Sequence, residues 1–255
     1  MTTPLPVPTV IRLEKAARDA GFDLDPMRVG DWLCCTTSRS PVRLWLTALG
    51  DAVFIAAVSR HNVAQALSEH GVAHVSPLPD GAVGARCVTS LDVLGRLLYR
   101  VIPLARTLPD ELLHVFQSKV VFLPRTTEAE RLVVQRVGQD VFRDGLLEYW
   151  QGRCAVTGLA VPALLRASHM KPWADCQTDA ERLDVFNGLL LAPNVDAAFD
   201  CGFLTFADDG RLVTSAKLDT AAQELLGLAA DLRVHGLKPA HRLYLAWHRQ
   251  KVFRS

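Results

Sequence analysis

The stretch that decides the fold reads, in order, Leu164-Leu-Arg-Ala-Ser-His169, Asn187-Gly-Leu-Leu-Leu191 and Pro193-Asn-Val-Asp-Ala-Ala-Phe-Asp200. The apolar run before His169 predicts a short strand, and the leucines after Asn187 predict a second one. Proline is favoured at the first position of a helix, so Pro193 predicts a helix that carries Asp196. Strand, loop, strand and helix in this order are expected to bring His169 opposite Asp196 in one cleft.

The residue types in this cleft suit the hydrolysis of a phosphodiester bond. That reaction needs a water made nucleophilic and a cation that neutralises charge on the phosphate and on the leaving oxygen. An imidazole titrates near neutral pH and suits the role of general base. Carboxylate oxygens are ligands that magnesium and manganese favour. The predicted cleft thus offers one imidazole, His169, and one carboxylate, Asp196, whose chemistry is compatible with these two needs.

Residues 153–206 resemble the HNH endonucleases, whose active site is a ββα-metal fold. The resemblance is carried by four motifs: Arg153-Cys-Ala-Val-Thr-Gly158, Ala167-Ser-His-Met-Lys-Pro-Trp173, Phe186-Asn-Gly-Leu-Leu-Leu191 and Asp196-Ala-Ala-Phe-Asp200. The flanking sequences at 136–143 and 244–253 also resemble that family. The resemblance implies an α+β fold, with a ββα-metal nuclease domain and flanking helices in the C-terminal half, and it implies DNA as the partner.

The site residues of that family carry over to single positions of this chain. His169 matches the first histidine of the signature, which implies the general base, and Asn187 matches the asparagine that fixes the loop. Asp196 lies nine positions after Asn187, which implies the metal ligand on the helix. Ser168, a weak ligand, stands where many relatives have an acidic residue or a histidine. The resemblance therefore implies one divalent cation, Mg²⁺ or Mn²⁺, held by Asp196 with Asp200, Ser168, water and the DNA phosphates.

The six cysteines include no C-x-x-C pair, although many relatives carry two such pairs around the motif. Only Cys154 remains at those positions, so we expect no structural zinc and a core formed by Leu189, Leu191, Val195 and Phe199. No apolar run approaches the roughly 20 residues that span a bilayer, and no export signal is apparent. We therefore expect free thiols, no membrane contact and a cytoplasmic protein.

A change in sequence character near residue 125 predicts two domains. Thr126 or Thr127 can cap a long helix that runs toward Trp150, with glutamates in its favourable first turn. We assign residues 126–255, which begin with this helix, to the nuclease domain.

Residues 1–125 show a mixed pattern of α and β and contain no catalytic motif. Helices are predicted at 9–20, 62–70 and 90–102, the last ended by Pro103, and a hairpin is predicted at 43–58. We assign this domain, whose fold we do not recognise, to the recognition of a target.

Three basic residues are candidates for contact with nucleic acid. Arg136 and Arg143 belong to a polar stripe on the predicted long helix, and such a stripe is either a solvated face or a surface that contacts phosphate. Lys171 either contacts phosphate or belongs to a rigid exit from the first strand. Both alternatives stay open for each residue.

The last part of the chain is basic. Residues 232–255 contain six basic side chains and no acidic one, which favours either a polyanionic partner or a soluble terminal helix. His241 and His248 are seven positions apart there, and without a carboxylate partner in the pattern we interpret them as polar-face residues.

The sequence supports three hypotheses from different classes. The first is a metal-dependent endonuclease that hydrolyses DNA, with recognition of a sequence or a modified base by residues 1–125, as in a restriction or defence enzyme. The second is a DNA-binding protein that retains the HNH fold but has a decayed catalytic site, and Ser168 favours it. The third is a structural or interaction protein with a coincidental motif. We expect the first. Cutting both strands with one active site per chain would suggest a homodimer, and that alternative stays open.

Overall fold

The computed structural model describes residues 5–50, 52–75, 77–108, 110–124, 126–229 and 231–255. It has both helices and strands, which confirms the α+β class. The chain divides into two compact units, 1–108 and 109–255. The division precedes the helix Glu111–Val120, whereas the sequence analysis placed a boundary near 125. That helix joins the second unit because it packs against the long helix Glu128–Tyr149.

The first unit is a six-stranded antiparallel sheet with helices packed on it. Its elements are α1 (Val7–Asp19), β1 (Met27–Val29), β2 (Trp32–Thr37), β3 (Ser40–Leu49), β4 (Val53–Val58), α2 (His61–Ala66), β5 (Val72–Ala73), β6 (Gly84–Val88) and α3 (Leu91–Thr107). The strand order is β1-β2-β3-β4-β6-β5. Helices α1 and α3 pack against each other and against β3. The predicted first helix and the hairpin β3–β4 are confirmed.

Helix α3 continues beyond Pro103 to Thr107, so the predicted end at residue 102 is wrong. Proline has no N–H, and one backbone hydrogen bond of the helix is therefore missing. Leu104 and Ala105, which follow the proline, are buried, and the burial of their apolar surface offsets that missing bond. The Thr107 hydroxyl also donates a hydrogen bond to the Pro103 carbonyl at 2.8 Å.

The second unit is built around one long helix. Its elements are α4 (Glu111–Val120), α5 (Glu128–Tyr149), β7 (Arg166–His169), α6 (Asp179–Arg182), a 3₁₀ turn (Val185–Asn187), β8 (Gly188–Leu191), α7 (Pro193–Asp200), β9 (Leu204–Phe206), β10 (Leu212–Thr214), α8 (Thr220–Leu225) and α9 (Pro239–Lys251). Two small antiparallel sheets, β7–β8 and β9–β10, lie in this unit.

Helix α5 begins at the predicted cap and supports the sheet that carries the candidate site. The Thr127 hydroxyl accepts a hydrogen bond from the Glu130 N–H, and the Glu130 carboxylate accepts one from the Thr127 N–H. A Cβ added to Gly145 would lie 2.3 Å from a side chain of α4, and one added to Gly188 would lie 2.5 Å from Phe142. Glycine at these two positions therefore lets α4 and β8 pack closely against α5.

The predicted order of strand, loop, strand and helix is confirmed by β7, β8 and α7. Strand β7 begins at Arg166, two residues later than the apolar run suggested, and pairs with β8. The side chains expected in the core are fully buried: Leu189, Leu191, Val195 and Phe199. Apolar burial thus holds β8 and α7 together behind the candidate site.

Candidate active site

Strand β7 presents Ser168 and His169 in opposite directions. Successive side chains of a strand alternate between its two faces. Ser168 contacts Asp200 of α7, whereas His169 stacks on Phe142 of α5. The strand therefore separates a hydroxyl that faces carboxylates from an imidazole that faces an aromatic ring.

An acidic pair, Asp196 and Asp200, lies on the Ser168 side of β7. The two carboxylates are one helical turn apart on α7, and the Ser168 hydroxyl donates a hydrogen bond to Asp200 Oδ1 at 2.8 Å. Burial and the nearby charge of Asp200 raise the pKa of Asp196 to about 6, although Ser168 and Arg166 oppose the shift. Two like charges thus lie close together beside a buried hydroxyl.

These side chains fit one hard divalent cation. Carboxylate and hydroxyl oxygens are donors that Mg²⁺ and Mn²⁺ prefer, and a cation would favour the ionised form of Asp196, whose pKa is raised by burial and by the charge of Asp200. The described residues contain no group of three or more His, Cys, Asp or Glu side chains that could hold a metal ion. A cation at the acidic pair would meet the oxygens of Asp196, Asp200 and Ser168.

His169 is held in one orientation and one tautomer. Its ring stacks on Phe142 with centroids 3.8 Å apart, and Trp173 meets it edge-on at 5.8 Å. The ring Nε2 lies 2.8 Å from the Arg182 carbonyl oxygen. Because a carbonyl only accepts hydrogen bonds, Nε2 carries the proton and Nδ1 keeps a lone pair. Burial lowers the pKa of His169 to about 4, so the ring is neutral at neutral pH.

Asn187 ties the loop after β7 to the start of β8. Its side chain is fully buried, and its Oδ1 accepts a hydrogen bond from the Lys171 N–H at 2.8 Å. Its Nδ2 donates to the carbonyls of Lys171 at 3.1 Å and of Glu181 at 3.2 Å. One amide therefore binds both ends of the segment 171–181.

Arg182 closes the same loop and was missed by the sequence analysis. Its guanidinium donates to the carbonyls of Trp173 and Cys176, at 3.2 and 2.6 Å, while its own carbonyl accepts from His169. Phe142, the stacking partner of His169, was also missed as a functional residue. Phe142 could have been noticed because it lies in the stretch 136–143, which resembles the family. For Arg182 the only available feature was its position five residues before Asn187.

Two of the three basic residues proposed to contact nucleic acid have internal partners. Lys171 Nζ lies 2.6 Å from Glu181 Oε1, and its side chain is only 13% exposed. Arg143 donates to the carbonyls of Leu165 at 2.6 Å and Pro162 at 3.1 Å. These contacts support the structural alternative for both side chains, and their contact with nucleic acid stays a prediction. Arg136 is exposed, and no described residue pairs with it.

The two histidines of α9 are core residues, so their interpretation as polar-face residues is wrong. His241 and His248 are 0% and 1% exposed. His248 stacks on Phe199 of α7 at 3.8 Å, donates from Nε2 to the Phe199 carbonyl, and accepts the Thr205 hydroxyl proton at Nδ1. Nδ1 of His241 accepts from the Lys238 N–H at 2.9 Å. Helix α9 thereby supports the helix of the acidic pair.

Cys154 is the centre of a small hydrogen-bond cluster. Its sulfur accepts from the backbone N–H groups of Val156 and Thr157, at 3.4 and 3.3 Å, and from that of Ala192 at 3.2 Å. Ala192 directly precedes α7, so the thiol joins the turn 154–157 to the start of that helix.

Comparison with known families places this geometry in context. Residues 154–207 match the family model of the HNH endonucleases. The matched segment contains β7, β8, α7 and β9, and with them His169 and the acidic pair. The match confirms the resemblance in the C-terminal half and supports nuclease activity on nucleic acid.

A search among curated proteins finds no match. Within the described ranges, no helix combines the length and the apolar character needed to cross a membrane.

Proposed function

We propose that this chain is a metal-dependent endonuclease that hydrolyses DNA phosphodiester bonds. The observation that carries the proposal is the arrangement around β7. An imidazole of fixed tautomer follows directly on a hydroxyl that is hydrogen-bonded to an acidic pair. The match of residues 154–207 to the HNH endonucleases supports the same chemistry.

His169 acts as the general base. Its Nδ1 lone pair accepts a proton from the water that attacks phosphorus, and the Arg182 carbonyl stabilises the positive charge that the ring then carries. Phe142 and Trp173 keep the ring from rotating, and Asn187 keeps the loop in place.

Asp196 and Asp200, with Ser168, would hold one divalent cation, Mg²⁺ or Mn²⁺, which would neutralise charge on the phosphate and on the leaving oxygen. The Ser168 hydroxyl orients Asp200 through its hydrogen bond. A phosphate bound across the end of β7 would lie near His169 on one face of the strand. It would also lie near Asp196 and Asp200 on the other face.

Plasmid cleavage tests the proposal. Supercoiled plasmid is incubated with Mg²⁺ or Mn²⁺ and the wild-type chain, His169→Ala or His235→Ala, the last being a control because His235 is exposed. We expect the wild type and His235→Ala to produce nicked or linear DNA, and His169→Ala to be slower by about 10²–10⁴-fold. A wild type that binds the plasmid but nicks it no faster than His169→Ala would overturn the proposal.

A second candidate function is DNA binding without cleavage. Ser168 favours it, because a neutral hydroxyl that already donates to Asp200 is a weaker metal ligand than a carboxylate or an imidazole. This alternative predicts salt-dependent binding of DNA by the wild type and no cleavage with either metal.

We also propose that residues 1–125 select the target and that the enzyme serves restriction or defence in the cytoplasm. The support is that residues 1–108 form a compact unit of their own. A nuclease that cut every duplex in its own cell would be lethal, so selection must lie somewhere in the protein. Digestion of unmodified and modified DNAs by the full chain tests selection, and sedimentation with DNA tests a homodimer.

A further inference from the structure

Arg166 lies on the same face of β7 as Ser168. The two residues are two positions apart in the strand, and side chains at i and i+2 share a face. Ser168 marks that face as the one toward α7, because its hydroxyl binds Asp200. The positive charge of Arg166 also acts on Asp196, whose pKa it lowers against the stronger effect of burial. Arg166 is therefore a cation beside the acidic pair.

The guanidinium of Arg166 has no partner within the described part of the chain. The side chain is exposed, and it makes neither a hydrogen bond nor an ion pair with a described residue. Other arginines of this unit differ: Arg143, Arg182 and Arg249 each donate to backbone carbonyls. Those three stabilise loops, whereas all the donors of Arg166 remain available to a ligand.

The charges at this face indicate what that ligand is. Two carboxylates repel a phosphate, and a bound divalent cation would cancel their charge without supplying directional hydrogen bonds. A guanidinium supplies a planar fork of donors that fits two phosphate oxygens. An unpaired arginine next to the carboxylates is thus placed to orient a phosphate that approaches them.

We propose that Arg166 binds the backbone phosphate of the nucleic acid that lies at the acidic pair. The inference deepens the proposed function, on which it rests, by naming the group that positions the phosphodiester for attack. Neither Lys171 nor Arg143 can do this without giving up the partners described above.

A purely structural role for Arg166 predicts a different result when the binding of metal is measured. If Arg166 only held the acidic pair in place for the cation, its loss would weaken binding of the metal. If it binds phosphate, its loss removes a repulsive charge from the cation site, and the metal binds equally well or more tightly. Metal binding and DNA binding must therefore be measured separately.

The test uses the full chain with Arg166→Gln, Arg166→Lys and the control Arg211→Gln, whose charge is already paired with Asp209. Binding of a fluorescein-labelled 20-base-pair duplex is followed by anisotropy over a range of salt concentrations, both without divalent metal and with Mn²⁺ in a His169→Ala background that slows cleavage. Binding of Mn²⁺ alone is followed by calorimetry.

For Arg166→Gln we expect the Kd for the duplex to rise roughly tenfold and the slope of log K against log salt to fall by about one. Arg166→Lys should keep the slope and lose part of the affinity, because it retains the charge but not the fork. Arg211→Gln should match the wild type, and Mn²⁺ affinity should not decrease in any variant.

Unchanged duplex affinity and slope in Arg166→Gln would overturn the inference, as would weaker Mn²⁺ binding with unchanged DNA binding. Failure of the proposed function looks different. In that case the wild type binds the duplex more tightly than Arg166→Gln, yet neither cleaves plasmid with Mg²⁺ or Mn²⁺. That result would support a phosphate contact at Arg166 and reject the enzyme.

Discussion

The buried polar side chains of the two units differ in kind. Among the described residues of the first unit they are all hydroxyls: Thr9, Thr37, Ser40, Thr47 and Thr107. In the second unit they also include the amide of Asn187 and the imidazoles of His241 and His248. A hydroxyl needs one or two partners, whereas an amide can make four hydrogen bonds and an imidazole can change its charge.

This difference shows that the two units fix their conformations by different interactions. The first unit depends on apolar contacts across a continuous sheet, and its buried hydroxyls add single hydrogen bonds such as that from Thr47 to the Asp31 carbonyl. The second unit uses multi-bonded polar groups to fix loops around short strands. Loss of one of these groups should therefore reduce both the stability and the activity of the second unit, and three experiments test this contrast between the units.

Replacement of Asn187 should have the largest effect. Asn187→Ala removes the hydrogen bonds to the Lys171 N–H and to the carbonyls of Lys171 and Glu181, and we expect a loss of about 3–4 kcal/mol in stability of the second unit. Thr47→Val in the first unit, which removes one buried hydroxyl, should cost about 1 kcal/mol. Hydrogen exchange of peptides from each unit measures both. Equal losses for the two variants would remove the contrast between the units.

Acid should destabilise the second unit more than the first. Burial lowers the pKa of His241 and His248 to about 4, whereas an unfolded histidine titrates near about 6.5. The unfolded chain therefore binds more protons between these values. The stability that these two histidines contribute is fully present above about pH 6.5, falls as the pH drops through this window, and levels off below about pH 4.

Each of the two histidines should contribute up to about 3 kcal/mol to that loss. The buried hydroxyls of the first unit do not titrate in this range, and its described histidines, His61, His70 and His74, are not buried. Urea unfolding at pH 7 and pH 5, followed by hydrogen exchange of each unit, measures the effect. His248→Gln should reduce the pH dependence of the second unit, and an unchanged dependence would contradict the assignment.

Loss of the Cys154 sulfur should have the smallest effect. Cys154→Ala removes the acceptor of three backbone N–H groups, so it should cost about 1 kcal/mol more than Cys35→Ala, which removes a buried thiol from the first unit.

We also expect chelation by EDTA to leave the stability of the wild type unchanged. A metal analysis that finds stoichiometric zinc, with unfolding after chelation, would disprove the zinc-free core.

The sequence correctly predicted features that depend on residues close together in the chain. The cap at Thr127 depends on Glu130 three positions later, and the succession of β7, β8 and α7 follows from short apolar runs and from Pro193. The end of α3 was mispredicted at Pro103, because the local rule for proline ignores the burial of the residues beyond it.

The sequence could not predict partners that only the fold brings together. His248 meets Thr205 and Phe199, which are 43 and 49 positions away, and a helical pattern alone made it look like a surface residue. Likewise, Arg143 binds the Leu165 carbonyl 22 positions away. The resemblance to the HNH endonucleases pointed to His169, Asn187 and Asp196, but the Arg182 carbonyl that accepts a hydrogen bond from His169 carries no side-chain signature.

That carbonyl has a consequence for how the site can change. The atom that orients the imidazole belongs to the main chain, so no single substitution deletes it. Substitution of the Arg182 side chain can leave the orientation of His169 unchanged, as long as the backbone of the loop keeps its conformation. Variants that lose the base without altering residue 169 should therefore arise through changes that displace the loop, at distant positions that look unrelated to catalysis.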